Sequence, residues 1–367
     1  MNLSSLIQPL SIGRKKSGDL VGLEIEAGSI AAAEVHVNGG VQLKAAAIQP
    51  LPAGVFHDGE VADPDGLTEA LKTLFSQHKL SKRVRLGIGN QRVIARTLRL
   101  PVIEDPKEME AAVRFQAQEQ IPMPLDQAVL EHQVVGGVAA APDSPPQVDV
   151  IVIAARRDMV ASFLDPMRRA GLEPAGVDLS AFGMIRSLAG AELLELADDG
   201  QPAEEAVLYC NVGSVMNLAV ARRRACLFTR VSGIGVEGIV ARVVSETDLL
   251  PEHAAQWLVH VGFERPVEEI EGDPVIVGAA RHALEDGVGA IVDELRLSID
   301  YYGAQEAAVP VSRVVMCGIG SAIPGLAARI EAQIGLPIGI VRPAPLANFD
   351  EASAARLALP LGLALES

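Results

Sequence analysis

The sequence has only three cysteines, and none is placed for metal binding or for a CxxC redox pair. Cys210, Cys226 and Cys317 stand singly in apolar, strand-like runs. Metal and redox centres usually need closely spaced cysteines or histidines. The seven histidines are scattered, and none pairs with a serine or cysteine as in a hydrolase. The sequence therefore predicts no metal site and no catalytic residue.

Long apolar runs and excess positive charge are also missing. No stretch of about 18 uninterrupted apolar residues occurs, so no segment is expected to span a bilayer. The N-terminus lacks the pattern of a signal peptide, which predicts a cytoplasmic location. Lys and Arg number 31 against 47 Asp and Glu, a net charge of −16. Because this charge repels phosphate, nucleic acid is not an expected partner.

Residues 1–17 are predicted to form a flexible arm. Apolar residues at its start are followed by a basic cluster of Arg14, Lys15 and Lys16. This pattern is typical of a solvated terminus, and also of a segment that rests on an anionic membrane surface. Both alternatives stay open, and any membrane contact is expected to be peripheral.

Two strand–turn–strand segments are the most informative positive feature. At residues 21–35 and 207–220, an apolar strand enters a Gly/Ser turn and a second apolar strand leaves it. Such turns are ordinary sheet architecture, but their backbone amides can also hold an anion. Two such hairpins in one chain predict a duplicated fold with a cleft between its halves.

The residues after the first hairpin predict a strand at 41–51, a helix at 65–78 with Asp65 as N-cap, and a strand at 84–88. A compact βαββα unit follows. Its first helix should stop at Ile121-Pro122, because proline cannot continue the hydrogen-bond ladder. The elements of this unit are predicted at residues 92–100, 107–120, 129–135, 148–154 and up to 170.

The second half is predicted to be mostly helical after its hairpin, with helices at 235–245, 251–261 and 273–302. A strand at 313–316 then enters Gly318-Ile319-Gly320-Ser321 and a helix at 324–334. Small residues at a helix N-terminus let a nucleotide approach the backbone, although any α/β crossover can carry glycines.

Several stretches resemble the PilM family of type IV pilus assembly proteins, relatives of the cell-division protein FtsA. The resemblance covers Gly18 to Leu365. Its most specific stretches are VGLEIEAGSIAAAEV, AAVRFQAQEQIPMPLDQAVLEHQVV, DELRLSIDYYGAQ and VVMCGIGSAIPGLAARIEAQIGLPI. It implies an α/β, actin-like (ribonuclease H-like) duplicated fold with an inserted FtsA/PilM-type βαββα subdomain.

The resemblance also implies domain boundaries. After the arm, residues 18–90 form subdomain 1A, to which 176–203 and 345–367 return. Residues 91–175 form the inserted subdomain 1C. Subdomain 2A comprises 204–235 and 313–344, and subdomain 2B comprises 236–312.

ATP and Mg²⁺ are the cofactors that the resemblance implies. The matching positions are Glu24, Gly28, Ser29, Asn211, Gly213, Ser214, Gly318, Gly320 and Ser321. Ala31 replaces a lysine that would face the phosphates, Glu26 replaces a glycine, and Asn211 replaces a metal-organising aspartate. The stretch 254–258 lacks the charged contacts to the ribose. Phosphoryl transfer depends on positioned cations, so nucleotide binding is expected to be weakened or lost and hydrolysis absent.

The implied function is that of a cytoplasmic scaffold, peripheral to the inner face of the cell membrane, in the type IV pilus alignment complex. Its implied partners are the cytoplasmic N-terminal peptide of a PilN-like inner-membrane protein and other alignment components. That peptide would dock in a groove between the first and inserted subdomains, although the same apolar side chains could instead close a subdomain core. The implied groove residues are Val93, Ile94, Leu98, Ile121, Pro122 and Leu125.

Two other functions stay open. An active actin-fold ATPase or small-molecule kinase would need a catalytic aspartate, for which Asp178 is the nearest candidate. A filament-forming protein like FtsA would be expected to carry a C-terminal amphipathic membrane helix, and residues 359–367 do not have that pattern.

Overall fold

The computed structural model describes residues 18–38, 40–138, 146–195, 205–305 and 308–365, so the predicted N-terminal arm lies outside the described residues. The first half contains β1 (Asp19–Glu26), β2 (Ser29–Val37), β3 (Val41–Pro50), β4 (Phe56–His57), β5 (Glu60–Val61), α1 (Pro64–Gln77), β6 (Arg83–Ile88), β7 (Ile94–Pro101), α2 (Pro106–Gln120), β8 (Ala128–Val138), β9 (Gln147–Arg156), α3 (Arg157–Arg169), β10 (Glu173–Leu179) and α4 (Ser180–Glu195).

The second half contains β11 (Ala206–Val212), β12 (Met216–Arg222), β13 (Ala225–Ser232), α5 (Val236–Glu246), α6 (Pro251–Val261), α7 (Pro274–Gly303), β14 (Val311–Cys317), α8 (Leu326–Ile334), β15 (Ile338–Gly339) and α9 (Glu351–Ala364). Among the described helices, none combines the length and the apolar character needed to cross a bilayer.

Two five-stranded sheets share one topology. The first has the order β10-β6-β1-β2-β3, and the second, read from its opposite edge, has the order β15-β14-β11-β12-β13. In each sheet a hairpin pairs antiparallel, β1 with β2 and β11 with β12, and the first strand of the hairpin also pairs parallel with a later strand, β6 or β14. This repetition confirms the predicted duplication.

Each sheet has one face covered by its own half and one face covered by the other half of the chain. Helices α1 and α3 pack on one face of the first sheet, and α9 packs on its opposite face. Helices α5 to α8 pack on one face of the second sheet, and α4 packs on its opposite face. The two exchanged helices, α4 and α9, therefore lie between the sheets.

The exchanged helices approach closely because both carry glycine where they meet. A Cβ on Gly362 of α9 would lie 1.7 Å from the carbonyl oxygen of Gly183 in α4. A Cβ on Gly22 of β1 would lie 1.9 Å from the carbonyl oxygen of Pro360. Both positions require glycine, since real Cβ atoms do not approach backbone oxygens so closely.

The inserted unit is a three-stranded sheet, ordered β7-β9-β8, with α2 packed on it. Helix α2 ends as predicted, with Ile121 N–H bonded to Ala117 before the proline. The sequence predicted the insert to run to residue 175. Instead, α3 packs in the first core with α1, and β10 pairs with β6 in the first sheet.

One local prediction was wrong. Asp63, rather than Asp65, is the N-cap of α1, and its carboxylate accepts from the backbone N–H of Asp65 at 3.0 Å. The C-terminal stretch forms a helix, α9, for which the sequence analysis made no prediction. Its side chains are buried almost without interruption from Leu357 onward, so it has the place of a core helix.

Candidate functional site

A narrow cleft lies between the two hairpins, lined by residues from both halves of the chain. Glu24 and Glu26 of β1 face Ser214 and Asn217 of the second half across it. Its volume is about 10 Å³, which is room for about one water molecule. Ligand pockets usually measure about 300 Å³ or more, so the space among these lining residues is much smaller than a ligand pocket.

Glu26 closes the cleft by reaching the opposite turn. Its Oε1 accepts a hydrogen bond from the backbone N–H of Ser214 at 3.3 Å. The same oxygen lies 1.8 Å from where a Cβ of Gly213 would be, so the carboxylate occupies the space that this glycine leaves open. The backbone amide that could otherwise bind a phosphate is therefore already bonded to a side chain of the protein itself.

Asn211 and Glu24 form a second bridge between the halves. Asn211 Nδ2 donates to Glu24 Oε1 at 3.0 Å, and both side chains are buried. Asn211 Oδ1 has no hydrogen-bond partner among the described atoms. This oxygen lies 1.9 Å from the Cβ position of Gly318, which has a φ of +87°. Only glycine fits there, because a side chain would collide with Asn211 in a backbone conformation that L residues disfavour.

Arg356 of α9 supplies the positive charge of the cleft. Its guanidinium donates to Ser29 Oγ and interacts electrostatically with Glu24 and Glu26. Antiparallel pairing places Ala31 opposite Glu24, so both face the α9 side of the sheet. Ala31 packs against α9 there. The lysine expected at position 31 is absent, and a cation reaches the same face from the C-terminal helix.

Burial dominates the electrostatics of this cluster. It raises the pKa of Glu26 from its ordinary 4.5 to about 7, against the opposing effect of Arg356. Burial and the charge of Glu26 raise the pKa of Glu24 well above its usual range. Burial also lowers the pKa of Arg356, while the two carboxylates act against this shift. One arginine thus faces two buried carboxyl groups that resist ionisation.

These shifts make a pH-dependent prediction for Glu26→Gln. The folded protein holds the Glu26 proton up to pH about 7, whereas the unfolded chain releases it near 4.5. The contribution of Glu26 to the free energy of unfolding therefore falls as pH rises through this window. Glutamine cannot ionise, so the free energy of unfolding of the variant relative to the wild type should rise by about 3 kcal/mol between pH 4.5 and 7.5.

Urea denaturation across that pH range measures the effect. Glu268→Gln, at an exposed turn, is the matched control and should leave the wild-type pH profile unchanged. If the free energies of unfolding of Glu26→Gln and the wild type differed by the same amount at all pH values, the raised pKa of Glu26 would be contradicted.

The structure brings most of the predicted nucleotide residues together, but not all of them. Glu24, Asn211 and Gly318 are in contact, as are Gly213 and Ser214 with Glu26. Ser29 joins them through Arg356. The remaining three predicted positions do not take part in these bridges: Gly28 is at an open turn with φ +82°, Gly320 packs on Val212, and Ser321 has a buried hydroxyl without a partner.

Asp178, the candidate aspartate of a kinase, is held elsewhere. It lies at the end of β10 and is paired with Arg186 of α4, and both side chains are largely buried. Trp257, in the stretch expected to contact a ribose, packs against Gly272. Neither residue lines the cleft described above.

The predicted groove residues divide by burial. Leu98 and Ile121 are 1% and 4% exposed in the core of the inserted unit, so a docked peptide would not reach them in this conformation. Pro122 is exposed. Val93, Ile94 and Leu125 are partly buried, with Val93 packed against cores on both sides of it. A peptide contact would therefore come from these last four residues.

The two matching sheets, the exchanged helices and the inserted three-stranded unit occur together in known proteins. A family model described as type IV pilus assembly protein PilM matches residues 22–367. The chain belongs to the PilM family. Its role is thus in type IV pilus assembly.

Solved structures agree with this membership. A chain of the PilM-PilN type IV pilus biogenesis complex is 26% identical, with a TM-score of 0.76 over 95% of this chain and 98% of that chain. MreB5 of Spiroplasma citri bound to AMPPNP is 12% identical, with a TM-score of 0.52 over 95% of both chains. The ethanolamine utilization protein EutJ of Carboxydothermus hydrogenoformans is 14% identical, with a TM-score of 0.51 over 99% of this chain and 95% of that chain.

The MreB5 and EutJ likenesses concern the fold alone. Together with the PilM match, they confirm the actin-like duplicated fold that the family resemblance implied. Sequence reasoning found the two turns of the cleft but missed Arg356, which no motif marked.

Proposed function

We propose that this PilM-family protein is a non-catalytic scaffold of the type IV pilus alignment complex. It lies on the cytoplasmic face of the inner membrane and binds the N-terminal cytoplasmic peptide of a PilN-like protein. The likeness to a chain of the PilM-PilN complex, which extends over nearly all of both chains, supports such a partner.

The observation that carries the non-catalytic part of the proposal is the hydrogen bond from Ser214 N–H to Glu26. A nucleotide phosphate would have to displace this carboxylate and would then meet two buried glutamates and a single arginine. Because catalysis of phosphoryl transfer needs excess positive charge around the phosphates, this arrangement supports a weakened or lost nucleotide site. Asn211 offers a neutral amide where a metal-binding carboxylate would be expected.

An ATPase of the same fold is the second candidate, and Arg356 favours it. If Glu26 rotated away, this arginine would remain as a cation beside the Ser29 turn. The fold likeness to MreB5 bound to AMPPNP is compatible with such a site.

Calorimetric titration separates the two candidates. The wild type is titrated with the N-terminal peptide of a PilN-like protein, and separately with ATP and Mg²⁺. We expect peptide binding with one peptide per chain, and nucleotide binding that is much weaker or absent. Failure of a folded protein to bind the peptide would overturn the scaffold proposal, and tight ATP binding with phosphate release would establish the ATPase.

Leu125→Ala locates the peptide groove. Leu125 is partly buried at the inserted unit, and its truncation should weaken peptide binding about tenfold, or 1.4 kcal/mol. Val275→Ala is the matched control, because Val275 is an apolar side chain with 69% exposure on α7, away from the insert. Equal affinities for Leu125→Ala and the wild type would place the peptide elsewhere.

A further inference from the structure

His57, Asp58 and Glu237 meet beside the cleft although they come from different halves of the chain. His57 and Asp58 lie at the turn between β4 and β5, and Glu237 lies in the first turn of α5, 180 residues from His57. The neighbouring Phe56 lines the cleft, and the backbone N–H of Glu237 bonds to the carbonyl of Ser214. The cluster therefore joins the two halves next to the Glu26 bridge.

The three side chains lie close together, with a carboxylate at each nitrogen of the His57 ring. His57 Nδ1 is bonded to Glu237 Oε1, and His57 Nε2 lies 3.2 Å from Asp58 Oδ2. One ligand atom from each residue can be chosen so that all three lie within 4.8 Å of one another. An imidazole nitrogen with two carboxylate oxygens is a donor set that suits Zn²⁺ and other first-row divalent ions.

A second histidine near two carboxylates, His282, differs from His57 in the charges around it. His282 also lies near two carboxylates, 4.0 Å from Glu246 and 3.8 Å from Asp286. There, Arg242 bonds to both carboxylates, at 3.2 Å and 2.9 Å, and supplies the compensating charge. Among the described ion pairs, Glu237 has only His57 as its partner. The positive charge at the first cluster must therefore come from a proton on His57 or from a bound cation.

We propose that His57, Asp58 and Glu237 form a binding site for a divalent transition-metal ion, with zinc as the representative ion, that links the two halves of the protein. The ion takes the place of a proton on one nitrogen of His57, since a coordinating imidazole must be neutral. His57 and Asp58 are exposed, which leaves coordination positions for water. None of the three residues belongs to the proposed nucleotide or peptide sites.

The site lies where the two halves of the chain meet, so a bound ion would affect how they are held together. Two ligands belong to the first half and one to the second, so a bound ion adds a connection between the halves beside the cleft. Because the ion binds the closed arrangement better than an open one, it should stabilise closure.

Zinc titration of the full chain, prepared without an added histidine tag and in competition with a chromophoric chelator, tests the proposal. We expect one ion per chain, with binding weakened at least about tenfold in both His57→Gln and Glu237→Gln. His282→Gln is the matched control and should bind within about twofold of the wild type. A zinc-dependent rise in melting temperature should occur in the wild type and the control but not in the two site variants.

Three results would overturn the site: no zinc bound by the folded wild type, unchanged binding in both site variants, or equal loss in His282→Gln and His57→Gln. Far-UV circular dichroism of each variant shows whether it is folded. If Glu237→Gln fails to fold, His57→Gln alone decides, since His57 is an exposed turn residue whose replacement should leave the cores intact.

Discussion

Replacing Gly362 by alanine is expected to lower the free energy of unfolding by about 3 kcal/mol, at the upper end of what overpacking usually costs. The new methyl group would meet three backbone atoms of α4: the oxygen of Gly183 at 1.7 Å, its carbonyl carbon at 2.6 Å and the amide nitrogen of Ser187 at 3.1 Å. Backbone atoms cannot rotate away as side chains do, so α9 would have to separate from α4.

The matched control is the same substitution in α7. Gly278 is exposed, and a Cβ there would have no neighbour within 4 Å. Gly278→Ala should therefore stabilise the protein by up to about 1 kcal/mol through helix propensity alone. Urea denaturation of both variants gives the comparison. If both substitutions changed the free energy of unfolding in the same direction, the α4–α9 contact would not be as close as described.

The second large effect is expected at Arg356. In Arg356→Gln, Glu24 and Glu26 lose the cation that faces them. The free energy of unfolding should therefore fall by about 3 kcal/mol at pH 8. Arg356 lowers the pKa of both carboxyl groups. At pH 5.5 Glu26 is mostly protonated even with the arginine present, so the loss should be clearly smaller there.

A double-mutant cycle assigns this loss to charge. Adding Glu26→Gln to Arg356→Gln should recover part of the stability at pH 8, because one of the two uncompensated carboxylates is removed. Arg168→Gln, which breaks an exposed pair with Asp165 at 3.3 Å, is the control and should cost less than about 0.5 kcal/mol. A loss that is equal at both pH values would instead reflect packing of the arginine's aliphatic stem.

The parts of the fold with regular local patterns could be predicted from the sequence. The two hairpins were found because apolar strands flank Gly/Ser turns, and the end of α2 because proline follows Ile121. The 30-residue helix α7 was found from its periodic apolar side chains. In each case the signal lies within one element, so neighbouring residues are enough to predict it.

The parts that depend on distant contacts could not be predicted. From Leu357 onward, helix α9 is buried on every side and so shows no helical periodicity, and Pro360 and Gly362 are residues that disfavour a helix interior. Because α9 was not predicted, the position of Arg356 at the cleft could not be predicted either. The meeting of His57 with Glu237 is equally invisible, since no local pattern joins residues 180 positions apart.

The exchange of α4 and α9 between the sheets has a consequence for synthesis of the protein. On the ribosome, β1 and β2 emerge long before α9, the last of the described elements to be translated, yet Ala31, Ala33 and Val35 pack against that helix. The nascent first half therefore carries an apolar surface that stays uncovered until α9 has been made. Covering this face of the first sheet is a late event, and until then the exposed surface favours aggregation.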